Sequence, residues 1–295
     1  MFKTIDDVQT LMEQAGYICD RPLATAVYLG YALKKPILIE GEPGVGKTEV
    51  AKIVAQVLQT RLIRLQCYEG LDAEHALYEW DYARQMLEIQ LIGSQKESGC
   101  DPQLEKTIFS ERFLHKRPLL EAIQAQSPER VVLLIDEVDR SDEAFEAFLL
   151  EVLSDFQITI PEIGTIQARQ RPFVVITSNR TRELHDALKR RCLYHWIDYP
   201  SLDKELAIIK ARVPGMQGEL AKQICTMMQR IREMDLSKKP GISETLDWAE
   251  ALIALNRTVI DKDVVEETLG CIFKFREDQE AFRRKLELMP SAGCF

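Results

Sequence analysis

The sequence predicts an α/β fold: a doubly wound parallel sheet, continued by a smaller all-helical region. Three observations carry that expectation. Short, β-branched apolar runs alternate with segments whose apolar residues recur at helical spacing. One run, Pro36-Ile37-Leu38-Ile39, leads through a glycine-rich turn into such a segment. Beyond Tyr199-Pro200-Ser201 no strand pattern remains. Strand–helix alternation buries a parallel sheet on both faces and leaves ligand sites at the carboxyl ends of its strands.

Taken in order, the strand candidates are Pro36 to Ile39, Arg61 to Gln66, Val131 to Ile135, Phe173 to Thr177 and His195 to Asp198. Their nearly continuous apolar runs suit strands covered on both sides. After the first, Val50, Ile53, Val54, Val57 and Leu58 share one helical face. After the third, Ala144, Phe145, Phe148, Leu149, Val152 and Leu153 do the same, with Ser141 a plausible N-cap. Two insertions interrupt the alternation. Tyr68 to Ile92 carries Tyr68, Tyr78, Trp80 and Tyr82, candidate contacts to another protein because aromatic anchors favour interfaces. Phe156 to Pro172 reads as a hairpin turning at Pro161 to Gly164. Ser94 to Pro102 reads as a surface loop. Helical patterns then cover Leu202 to Val213, Gly218 to Met234, Ser243 to Leu255 (Ser243 as N-cap), Asp261 to Phe275 and Glu277 to Leu288. The expected division is therefore 1–200 and 201–295.

The chemistry begins at Gly41-Glu42-Pro43-Gly44-Val45-Gly46-Lys47-Thr48. Strand, glycine-rich turn and helix start, in that order, are what the phosphates of a nucleoside triphosphate require. Backbone N–H groups close around the oxygens, and the positive helix end faces them. Lys47 reaches the β- and γ-phosphates as a point charge, and the Thr48 hydroxyl ligates Mg²⁺. By chance this pattern arises in roughly one chain in a hundred of this length; the flanking strand and helix make coincidence a poor account.

The run Val131 to Ile135 ends in Asp136 and Glu137. At the carboxyl end of a buried strand, Asp136 faces the phosphate loop and holds Mg²⁺ with Thr48, directly or through water. Glu137 is then placed to polarise the attacking water as general base. Phe173 to Thr177 leads to Ser178-Asn179-Arg180, where Asn179 can bond the γ-phosphate and the water. Arg190 and Arg191 close the next helix. Arginine stabilises charge spreading over a transferring phosphoryl group. If copies pack side by side, one of the two reaches a neighbour's γ-phosphate.

Composition narrows the class. A formal net charge of −9 argues against a general polyanion-binding surface. The start meets Asp6 and Asp7 at once, with no apolar stretch of leader type, and no apolar run approaches membrane-spanning length. Seven scattered cysteines without a C-x-x-C pair argue against a disulfide framework or zinc site and for a reducing cytoplasm.

Together these residues resemble an AAA+ ATPase. Gly41 to Thr48 is similar to Walker A, Leu133 to Glu137 to Walker B, Asn179 to sensor 1 and Arg191 to the arginine finger, with Arg190 adjacent. The helical C-terminal region corresponds to the lid. The hairpin before the sensor 1 strand and the elaborated region after the second strand resemble the MoxR branch. Gly16 to Arg21, Leu62 to Asp72, Ala76 to Trp80 and Arg190 to Leu193 look like the CoxD type associated with carbon monoxide dehydrogenase maturation. The resemblance implies a nucleotide-dependent homo-oligomeric ring, a hexamer, with ATP and Mg²⁺ at subunit interfaces. It implies chaperone-like remodelling of a client metalloenzyme and a partner with a von Willebrand factor A domain. One departure stands out. Ser243-Glu244-Thr245 occupies the position of a Ser-Pro-Arg-like segment, so Thr245 stands where a sensor 2 arginine is expected.

Two other functions fit the phosphate loop less well. A nucleic-acid remodeller would call for a basic surface; only Arg169, Arg171, Arg180 and Arg182 offer a local patch. A small-molecule kinase fits poorly with the acid pair, the arginine pair and a large lid.

Overall fold

The computed structural model describes residues 2–93, 107–125 and 130–287. The expected loop Ser94 to Pro102 lies outside these residues, as does Leu288.

Five strands form the central sheet: β1 (Ile37–Gly41), β2 (Leu62–Gln66), β5 (Val132–Asp136), β8 (Phe173–Ser178) and β9 (Leu193–Ile197), in the order β2-β5-β8-β1-β9. Every pairing is parallel. The apolar runs make such strands because both faces are covered. Ile37, Ile39, Val132, Leu134, Phe173 and Val175 pack into one core with the helices Ile5–Gln14, Arg21–Leu33 and Lys47–Val57. Their strand neighbours Leu38, Leu133, Ile135, Val174 and Ile176 pack into the core on the opposite face. That is the period-2 alternation of a strand, with apolar residues at both phases. β9 begins two residues earlier than the sequence pattern suggests, directly after the helix Asp186–Arg191.

Two smaller sheets decorate this frame. β3 (Tyr78–Trp80) pairs antiparallel with β4 (Leu114–Lys116), so the segment leaving β2 is fastened to residues far along the chain. β6 (Gln157–Ile160) and β7 (Gly164–Gln167) form a hairpin. Trp80 is buried and packs edge-on against Tyr78 and Phe109, so it is part of the insertion's own core, not an exposed anchor. Tyr68 and Tyr82 are exposed.

From Leu202 on, the described chain is helical: Leu202–Arg212, Gly218–Arg232, Ile242–Ala254, Lys262–Ile272 and Arg276–Glu287. These helices share a separate core around Trp248, Met228 and Val265. Inside it, Glu205 accepts from Arg232 Nη1 at 2.8 Å and from Nη2 at 2.7 Å. A fully buried carboxylate is tolerated only with such paired, charge-assisted bonds.

Two caps differ from the sequence expectation. Asp142, not Ser141, caps the helix Glu143–Asp155, accepting from Phe145 N at 2.8 Å; Ser141 instead closes a 3-10 turn by donating to Val138 O. Gly241, not Ser243, precedes Ile242–Ala254, and its N–H is held by Glu244 Oε2 at 2.8 Å. Ser243 is thereby turned outward, toward the phosphate loop.

Candidate functional site

The strand order places the carboxyl ends of β1, β8 and β5 side by side. Ile39 lies opposite Thr177, Ile135 opposite Ile176, and Gln66 opposite Asp136. Whatever follows those strands must converge, and there a cleft of about 380 Å³ opens. Pro43 to Thr48, Asp136, Glu137, Thr177 and Asn179 line its polar part.

The loop after β1 turns into the helix Lys47–Val57 through Gly46, whose φ of 94° is left-handed backbone that glycine adopts without steric cost. A Cβ on Gly44 would stand 3.0 Å from Glu244 Oε2, so this loop fits closely under the lid. The first turn of that helix leaves N–H groups without intrahelical partners, as a phosphate cradle needs. Lys47 is buried, and its ammonium donates to the carbonyls of Gly41 and Glu42, each at 2.7 Å. Burial pushes its pKa down to about 8, against the pull of Asp139, Glu42, Glu137 and Asp136. A triphosphate would supply the counter-charge that these carbonyls only partly provide.

Asp136, the last residue of β5, is 2% exposed. Its Oδ1 accepts from Thr48 Oγ1 at 2.9 Å and from Thr177 Oγ1 at 2.6 Å. Thr177 in turn accepts from the Glu137 N–H at 2.9 Å. The hydroxyl and carboxylate oxygens of Thr48 and Asp136 form the hard oxygen donor set that suits Mg²⁺. Glu137 has a positive φ of 55°, a conformation that costs a non-glycine residue about 1–3 kcal/mol and clusters at functional sites. That turn aims its carboxylate at three donors. Asn179 Nδ2 reaches Oε1 at 3.2 Å, Gln66 Nε2 reaches Oε2 at 3.0 Å, and Arg140 Nε lies 3.0 Å from Oε2.

The loop carrying Asn179 is itself fixed by Asp139, which accepts from Asn179 N, Thr181 N and the Thr181 hydroxyl. Burial alone would raise the Asp139 carboxyl; the bonds from Thr181 and Asn179 outweigh it and hold the group below the usual carboxylate range.

Thus the residues singled out from the sequence, Gly41 to Thr48, Asp136, Glu137 and Asn179, come together. Arg190 and Arg191 do not join them. Both are exposed at the end of the helix Asp186–Arg191 and do not line the cleft of their own chain. Thr245 points into the lid, donating to Glu205 Oε1 at 2.6 Å and accepting from Arg232 Nη2 at 3.1 Å. The lid cations that do line the cleft are Lys204 and Arg212. Lys204 pairs with Asp20 at 2.8 Å, and Arg212 pairs with Glu49 of the phosphate-loop helix at 3.0 Å. The four arginines expected as a basic patch turn to different neighbours: Arg182 to Ser141 O and Glu146, Arg171 over the Phe156 ring, Arg180 over Trp196, and Arg169 toward a separate small cavity.

Sequence reasoning missed the supporting residues Arg64, Gln66, Asp139, Thr177 and Thr181. Arg64 and Gln66 had a signal: they are polar residues alternating with Ile63 and Leu65 on a buried-edge strand. It also missed the apolar part of the cleft, formed by Tyr17, Ile18, Ile197, Ile208 and Leu246.

Residues 37–197, more than half of the chain, match the family model described as ATPase family associated with various cellular activities (AAA). An uncharacterized protein of Staphylococcus haemolyticus (SH1500) is 24% identical over 271 residues, covering 88% of this chain and 92% of that one. An uncharacterized protein of Staphylococcus aureus (SAOUHSC_01413) is 24% identical over 245 residues, covering 79% and 86%. Among solved structures, the RuvB Holliday junction branch migration motor of Thermotoga maritima is similar at 20% identity and a TM-score of 0.48, covering 94% of this chain and 74% of that one. Among the described residues no helix is long and apolar enough to cross a membrane.

Proposed function

The chain belongs to the AAA family of ATPases, and we propose that it couples Mg-ATP hydrolysis to the remodelling or activation of a client protein. The observation that carries this reading is the convergence of Thr48, Asp136, Glu137 and Asn179 on one cleft beside a buried lysine.

In this reading the loop from Gly44 to Thr48 and the Lys47 ammonium bind the triphosphate. Tyr17, Ile18, Ile208 and Leu246 enclose the base. Thr48 and Asp136 hold Mg²⁺, which when bound neutralises phosphate charge. Glu137 accepts the proton of the attacking water, whose oxygen bonds to the γ-phosphorus as the bridging P–O bond breaks and ADP leaves. Asn179 holds Glu137 and the water in register. Arg191, or its neighbour Arg190, serves the cleft of an adjacent copy, in keeping with its exposure outside its own. The need for that arginine in trans supports assembly of copies side by side, and the hexameric ring rests on the family resemblance alone.

The MoxR-type assignment, a von Willebrand factor A domain partner and a molybdenum-containing, carbon monoxide dehydrogenase-like client rest on the resemblance of the hairpin, the elaborated region after the second strand, and the segments Gly16 to Arg21, Leu62 to Asp72, Ala76 to Trp80 and Arg190 to Leu193. Cytoplasmic placement rests on cysteine usage. The test is phosphate release by the purified chain, with and without the candidate client and partner. Stimulation by these proteins, lost in Lys47→Ala, supports the reading. Stimulation by DNA instead, or transfer of phosphate to a small molecule, overturns the client assignment.

A further inference from the structure

Besides Thr177, the two acids at the end of β5 share a support from the edge strand. Arg64 lies on β2, the edge strand, two residues before Gln66, which is opposite Asp136. Its guanidinium takes Oδ2 of Asp136 with two donors, Nε at 3.0 Å and Nη2 at 2.6 Å. Oδ1 is left to Thr48 and Thr177. The same Nη2 also donates to Gln66 Oε1, which fixes the orientation of the Gln66 amide. That orientation turns Gln66 Nε2 toward Glu137 Oε2. One guanidinium therefore holds the metal-ligand carboxylate directly and the general base through one amide.

The burial of the two partners is unequal. Asp136 is almost fully enclosed, whereas the Arg64 side chain is 50% exposed. A buried carboxylate needs a counter-charge. A long side chain that is half in water can withdraw without unpacking a core. A divalent cation at Asp136 and Thr48 would bring like charge next to the guanidinium, in a setting where water screens it poorly.

We propose that Arg64 is the displaceable counter-ion of the metal site: it neutralises Asp136 in the metal-free chain, withdraws when a divalent cation binds, and in withdrawing loosens the Gln66 restraint on Glu137. Metal arrival and the loosening of one of the three donors on the general base are thereby linked through a single side chain, while Asn179 and Arg140 keep their hold on Glu137. This rests on the reading of the cleft as a Mg-nucleotide site.

The experiment uses Mn²⁺ as the probe, read by electron paramagnetic resonance with a non-hydrolysable ATP analogue on the full chain. Arg64→Ala is expected to bind Mn²⁺ about tenfold more tightly than the wild type. Arg64→Lys, which keeps the charge but gives up the two-donor grip on Asp136, is expected to fall between the wild type and Arg64→Ala. Unchanged or weaker Mn²⁺ binding by Arg64→Ala overturns the proposal. A second measurement needs no variant. Dicarbonyl labelling of Arg64 in the wild type, located by mass spectrometry, should accelerate when Mn²⁺ is added to the analogue-bound chain. Equal labelling with and without Mn²⁺ overturns it. Failure of the wild type to bind the Mn²⁺–analogue pair at all overturns the nucleotide reading itself, a different result from normal binding that ignores Arg64.

Discussion

The Thr48 hydroxyl donates to Oδ1 of Asp136 across 2.9 Å, joining residues 88 positions apart in the chain. The loop that would cradle phosphate and the strand end that would hold its metal are therefore one site. The strand order enforces this, because β1 and β5 flank β8 and each strand ends within one residue of its neighbour's level.

The pH profile of nucleotide binding should report Lys47. Its pKa of about 8 means that the ammonium is intact below that pH and is lost above it in the free chain. Affinity for the ATP analogue should be level from pH 6.5 to about 8, then fall by up to about tenfold per pH unit. The same depression means that the unfolded chain holds this proton longer. This group's contribution to stability therefore rises with pH, from about 8 to the unfolded value near 10.4. Titration calorimetry across this range checks the binding profile; level affinity up to pH 9.5 contradicts it.

Gly241 lets the lid rest on the phosphate loop. A Cβ there would meet Gly44 backbone atoms at 2.8 Å, while Ser243 N donates to Gly44 O at 3.2 Å. Gly241→Ala should push the lid off the loop at a cost of about 1–3 kcal/mol. It should weaken analogue binding correspondingly, yet leave the lid's own core intact. Binding within twofold of the wild type would show that this contact does not matter.

Trp80→Ala should act on stability. The side chain is 9% exposed and wedged between Tyr78 and Phe109. Truncation should cost about 3–5 kcal/mol by chemical denaturation. A loss of client activation at unchanged stability would restore it as a contact residue. Of the four aromatics of this insertion, Tyr68 and Tyr82 are the exposed ones and would be free to meet another protein.

Arg191→Ala should leave analogue binding by isolated chains unchanged, because Arg191 does not line its own cleft. It should reduce steady-state phosphate release in the assembled oligomer by about 10³-fold or more. Mixing Arg191→Ala with Lys47→Ala chains should restore part of the activity, since each can supply what the other lacks. If Arg190→Ala alone has the effect, the finger is Arg190.

Much of this was legible in the sequence where one residue type can meet only one physical demand. Glycines at left-handed positions, a lysine at a helix start and two acids ending an apolar strand each announce a local geometry. Strand alternation then fixed the fold class. The parts that stayed hidden depend on register and on distant partners. Arg64 and Gln66 matter because β2 lies next to β5, a neighbour that periodicity does not name. Thr177 acts by hydrogen-bonding both Asp136 and Glu137, and in the sequence it is one more β-branched residue in a strand. Ser243 and Ser141 resembled N-caps because each precedes acidic residues at helix-start spacing. A shift of two residues gave the first role to Gly241, and a shift of one gave the second to Asp142. Thr245 looked like a missing cation, yet it completes the buried Glu205–Arg232 pair.

The most direct test compares phosphate release by the wild type and Glu137→Gln, with analogue binding measured on both. The substitution keeps the shape at Glu137 and removes the carboxylate that would take the proton. The expected result is undiminished binding, with phosphate release slowed by about 10²–10⁴-fold and ATP retained on the protein. Equal rates of phosphate release from the two chains would contradict the account.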